Sequence, residues 1–163
     1  MISNFTRAAA LSLAIGASLA LSACGEEAAA PEPAAEGVVP GIEVSNARLV
    51  LPPVEGNPAA VYFDLAYTGD RGISISGADV EGAGDTEVHD MMEYDFEMTM
   101  AQANDIALTN GTEVTFEPGG LHVMAFDLPQ GLEAGDDVEV TLRISGGSRH
   151  RFDAEVRAAG EER

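Results

Sequence analysis

The sequence predicts one all-β domain, an antiparallel sandwich, spanning residues 41–158. Three observations carry this expectation. Apolar side chains recur at every second position, Gly, Pro, Asn and Asp interrupt the chain at short intervals, and no apolar stripe of helical period in the mature chain lasts beyond a turn or two. A chain of 163 residues has room for one core of ordinary size and hardly for two. In chain order, Val61, Phe63, Leu65 and Tyr67 alternate with Tyr62, Asp64 and Ala66, which gives one buried face and one outward face. Val138, Val140, Leu142 and Ile144 repeat the pattern against Glu139, Thr141 and Arg143. Gly146-Gly147 then reads as a hairpin turn into a last strand, where Phe152, Ala154 and Val156 keep the period. About seven or eight strands fit this span, and residues 159–163 are expected to form a disordered tail.

Ahead of the domain, Arg7 and the apolar run Ala8–Leu21 read as an export signal, since the run is too short to span a bilayer. It ends in Leu21-Ser22-Ala23-Cys24, which resembles the bacterial lipobox: small residues precede a Cys that is acylated and becomes the mature N-terminus. Residues 1–23 are thus expected to be a lipoprotein signal peptide and Cys24 the lipidation site. Cys24 is the only cysteine, so the chain has no intramolecular disulfide. Residues 24–40, rich in Ala, Glu and Pro, read as an acidic tether. Gly25, in place of an Asp after the Cys, favours the outer over the inner membrane by the Gram-negative sorting rule. The expected location is lipid-anchored and periplasm-facing.

Composition narrows the partners. The net charge is −20, and all 8 basic residues are Arg. Nucleic acid binding needs a basic footprint that is missing here, and an anionic membrane surface would repel the domain, which leaves the lipid as the membrane contact. No Ser or Cys nucleophile has a recognisable setting, and no Gly-rich phosphate loop appears, so the chain does not read as an enzyme.

The chemistry-bearing residues are clustered. His89, Met91, Met92, Met98 and Met100 fall within one short segment, and His122 and Met124 follow on a later strand. Residues two apart on a strand share a face, so His122 presents an imidazole beside the thioether of Met124, as His89 does beside Met91. Glu93–Glu97 reads as the loop joining an antiparallel pair. Imidazoles with thioethers select Cu(I): neutral soft sulfur competes poorly for hard ions, zinc sites use Cys, His and carboxylate, and a blue-copper centre needs a free Cys thiolate.

The sequence is similar to the periplasmic copper chaperones of the PCu(A)C family (DUF461-type). The family motif is His, ten residues, Met, twenty-one residues, His, one residue, Met, and His89, Met100, His122 and Met124 meet all three spacings. The resemblance covers most of residues 41–157, including Asn57–Tyr62, Gly119–Met124 and Gly135–Ile144. It implies a cupredoxin-like sandwich with Greek-key topology, Cu(I) carried outside the cytoplasm, and delivery towards the copper sites of cytochrome c oxidase alongside Sco-type thiol proteins. Two departures stand out. The Met- and His-rich C-terminal tail of many members is replaced by Ala158–Arg163, and many members are soluble whereas this chain carries a lipobox.

Other readings accompany these. Met92 and Met98 read as core filling, Met91 as an auxiliary metal candidate, and His150, between Arg149 and Arg151, as a solvated surface histidine. Asp90 and Glu93 are candidates to hydrogen-bond a metal ligand from behind, with little to single them out among so many acidic residues. The copper site is expected to be shallow, partly exposed and at one end of the sandwich. The rival functions are an envelope interaction module with an immunoglobulin-like sandwich, and a copper storage or detoxification protein.

Overall fold

The computed structural model describes residues 37–94 and 96–161. The signal, Cys24 and most of the tether lie outside the described residues. Ten strands follow in order: β1 (Ile42–Val50), β2 (Ala59–Tyr67), β3 (Ile73–Val80), β4 (Asp85–Tyr94), β5 (Glu97–Gln102), β6 (Ile106–Leu108), β7 (Thr112–Phe116), β8 (His122–Phe126), β9 (Asp137–Ile144) and β10 (Arg149–Arg157). The count exceeds the expected seven or eight because residues 97–116 form three short strands. β5 is exposed at nearly every position, so it carries no apolar alternation by which sequence could reveal it.

The strands form one hydrogen-bonded sheet in the order β5-β4-β8-β2-β1-β10-β9-β3-β6, with β7 also pairing β2. β8 takes the first half of β2 and β7 the second: Ala59–Val61 pair with β8, and Phe63–Tyr67 pair with β7. β1 and β10 run parallel and join the two halves of the sheet. The sheet folds over its own apolar face, since β3 and β4, far apart in strand order, are in contact and share one core. At its centre Phe63 stacks on Phe116 at 4.1 Å between ring centroids and meets Phe152 at 5.0 Å. Burying such rings is the main favourable term for a fold of this kind.

The strict alternation of β2 appears as expected, with Val61, Phe63, Leu65 and Tyr67 buried. On β9, Val138, Val140, Leu142 and Ile144 are buried as well, and a short 3-10 turn at Ser145–Gly147 leads into β10. His150 corrects the sequence reading: it is buried, at 5% exposure. It lies opposite Leu142 and shares the inward period of Phe152, Ala154 and Val156, while Arg149 and Arg151 point outward. Its Nδ1 accepts a hydrogen bond from the Val39 N–H at 3.1 Å, and the Arg151 N–H donates to the Gly37 carbonyl at 2.7 Å. Residues 37–40 therefore hold to β10.

Candidate metal centre

Register places the motif residues. In the β4–β8 ladder His89 lies opposite His122 and Glu87 opposite Met124; in the β4–β5 ladder Met91 lies opposite Met100. Directly opposed residues on antiparallel strands share a face. His89, Met100, His122 and Met124 thus stand together on the outer face of β5, β4 and β8, with Val88, Val123 and Ala125 of the same strands turned into the core. The four residues lie on this face of the sheet. Alternation itself dictates the outcome, since the buried residues between the motif positions fix which side the motif can occupy.

The distances are short. His89 Nδ1 is 3.2 Å from the Met100 sulfur, and the two imidazole rings are 5.8 Å apart at 79°. Exposure is graded across the group: His122 is 7% exposed and Met100 50%. Met124 is half-buried opposite Ala60, whose single methyl leaves room beside it. The arrangement is open on the Met100 side and walled on the His122 side.

Each histidine is oriented by a partner. A carbonyl only accepts, so His122 donates its Nδ1–H to the Gly120 carbonyl at 2.8 Å and leaves Nε2 as the available donor atom. Gly120 is set by a tight turn in which its N–H bonds to the Glu117 carbonyl at 3.1 Å. Pro118 and Gly119 fill the middle positions, and Gly119 at φ 85° supplies the left-handed residue that a type II turn requires. On the other ring, a carboxylate also only accepts, so His89 donates Nε2–H to Glu87 at 2.7 Å and leaves Nδ1 as the atom beside Met100.

The wall behind His122 starts at a bulge in β1. Asn46, at φ 54°, donates from its side chain to Asp64 at 2.7 Å, and the bulge falls between Ser45 and Arg48. Arg48 reaches over the Tyr62 ring at 5.2 Å, and Tyr62 lies 6.5 Å from the His122 ring.

Sequence reasoning brought the four motif residues to one region and missed Glu87, the carboxylate that orients His89. The signal was present, for Glu87 stands two residues before His89 and so shares its face. Asp90 falls on the opposite face, where its side chain bonds the Met91 N–H. Met92 and Met98 do not fill the core: they are 41% and 60% exposed, because the β4–β5 hairpin extends past the apolar cluster. Among the described residues, no group of three or more His, Cys, Asp or Glu could hold a metal ion.

A family model described as "Putative lipoprotein LpqE-like" matches residues 42–156. The chain belongs to that family. A relative from Leifsonia xyli subsp. xyli (strain CTCB07), "Putative lipoprotein Lxx21020", is 30% identical over 109 residues, covering 66% of this chain. The chain spans 64% of that relative's length. Among solved structures, the apo PCuAC domain from PmoF1 is 25% identical, with a TM-score of 0.62 over 74% of this chain and 96% of that one. The copper-bound PCuAC domain from PmoF2 has a TM-score of 0.60 at 23% identity, covering 76% of this chain and 98% of that one. The solution structure of CuI-DR1885 from Deinococcus radiodurans has a TM-score of 0.57 at 24% identity, covering 77% and 84%. The LpqE-like domain therefore has the all-β, cupredoxin-like PCuAC fold that the sequence resemblance implied.

Proposed function

We propose that this lipoprotein binds and carries Cu(I), held by His89, Met100, His122 and Met124. One observation carries the reading: three strands bring two imidazoles and two thioethers to a single face, with His89 Nδ1 3.2 Å from the Met100 sulfur. The donor chemistry fits the ion. Thioethers favour soft Cu(I), and the set lacks the carboxylates or thiolates that would favour calcium or zinc. The residues' own hydrogen bonds leave one nitrogen of each ring free to face the metal, His89 Nδ1 and His122 Nε2.

The graded exposure supports carriage over storage. A half-exposed Met100 can be displaced by an incoming ligand of an acceptor while the buried His122 keeps its hold. Acceptors of the kind implied by the PCu(A)C resemblance are Sco-type thiol proteins and a cytochrome c oxidase subunit. Acylation of Cys24 would hold the domain at the periplasmic side of the outer membrane and limit its acceptors to those within reach of the tether. The copper-bound neighbour from PmoF2 supports the metal assignment as a likeness of fold.

The test is an anaerobic Cu(I) titration of the mature chain against a chromophoric chelator, with Cys24→Ser removing the competing thiol. One tight equivalent is expected, weakened at least about tenfold in His89→Ala and in Met100→Ala. Binding that is weak, or indifferent to both changes, would replace this reading with the interaction module.

A further inference from the structure

Four of the six exposed large hydrophobic side chains among the described residues stand on the β4–β5 hairpin: Met92, Phe96, Met98 and Met100. Three are methionines, and the ladder sorts them. Met91 lies opposite Met100 and Glu93 opposite Met98, so Met91, Met98 and Met100 share the face of His89, while Met92 lies opposite Thr99 on the other face. Opposed residues have Cβ atoms about 5 Å apart and diagonal ones about 7 Å, within reach of the long, flexible methionine side chain. The three sulfurs can therefore converge on one point.

Packing does not account for this row. The hairpin extends beyond the core, and Met98 and Met100 are 60% and 50% exposed. An exposed apolar edge strand is also a liability that proteins ordinarily blunt with charge, and this chain has 28 acidic residues to spend on such positions. On the His89 face of the hairpin the apolar side chains, Met91, Met98 and Met100, are all thioethers. What the row offers is soft donor sulfur, flanked by the Glu93 carboxylate, which attracts a cation without competing for it.

We propose that Met91, Met98 and Met100 form a second Cu(I) site, a solvent-facing station that shares Met100 with the His89, His122 and Met124 site. This rests on the copper reading above. The metal remains Cu(I) throughout, and the step between stations is ligand substitution. The bonds to the Met91 and Met98 sulfurs break as bonds to His89 Nδ1, His122 Nε2 and the Met124 sulfur form, with Met100 bound in both. No proton moves, since His89 keeps its own on Nε2 against Glu87 and the thioethers have none to lose. Loading and release then pass through weak, exposed ligands and need no opening of the buried half of the site.

The experiment titrates Ag(I), a redox-inert soft ion, into the mature chain carrying Cys24→Ser and methyl-13C methionine, followed by NMR. In the His89→Ala/His122→Ala background, the Met91, Met98 and Met100 methyls are expected to shift with Ag(I) while Met92 stays still. Adding Met98→Leu should weaken that binding about tenfold. If Met91 and Met98 stay silent although the chain with both histidines takes one tight equivalent, the thioether station is overturned and the four-residue site stands. If the chain with both histidines takes no metal, both readings fall. Should the double-histidine variant not fold, the pair Met91→Leu/Met98→Leu decides: release of the tight equivalent to a chelator is expected to slow about tenfold. An unchanged rate overturns the station.

Discussion

Glu87 shows how much of the site rests on single hydrogen bonds. Its carboxylate, 39% exposed, accepts from His89 Nε2 and turns Nδ1 towards Met100. Such partners of a metal-ligating histidine fix the ring's tautomer and orientation. Glu87→Gln is expected to lower Cu(I) affinity about tenfold and to change the His89 ring nitrogen shifts in 15N spectra, while leaving the His122 shifts in place. His150 supplies a contrasting case, in which burial holds the imidazole below its ordinary pKa of 6.5. The sign follows from linkage. As pH falls through about 6.5 the unfolded chain takes up a proton at this position and the folded chain does not, so stability drops until the folded-state pKa is reached and then levels off. His150→Asn, which keeps an acceptor for the Val39 N–H, should lose less stability than wild type between pH 8 and pH 5, as read from urea midpoints at both values.

Among elements, the turn before β8 does most to aim the site. Pro118 and Gly119 form it, and the Gly120 carbonyl at its end holds His122. A side chain at Gly119 would meet open space, so the cost of substitution there is backbone conformation alone, since φ is 85°. Gly119→Ala is expected to destabilise the domain by about 1 kcal/mol in chemical denaturation and to weaken copper binding through His122. The strands differ in how visible they were. β2 and β9 declare themselves through period-two alternation of Val, Phe, Leu and Ile. β5 does not, because it lies beyond the core at the edge of the sheet and no burial selects its pattern. The same circumstance hid the exposure of Met92 and Met98, whose composition alone suggests core filling.

For the whole molecule, the anchor and the domain are expected to act independently. Cys24→Ser should release the protein into soluble fractions with Cu(I) affinity unchanged, as measured by fractionation and by chelator competition. The chain's net charge of −20 disfavours approach to anionic lipid and favours approach of a cation. By itself the sequence determined the all-β class, the family resemblance and the four motif residues, because alternation is a local property and the motif is a matter of spacing. Tertiary structure decided what depends on pairing between distant strands. It set His89 opposite His122, placed Glu87 against His89, buried His150 beneath Val39, and aligned Met91 with Met100 and Met98 along an edge hairpin. Strand register and the limits of the core are set by contacts across the sheet, and no local run of residues encodes them.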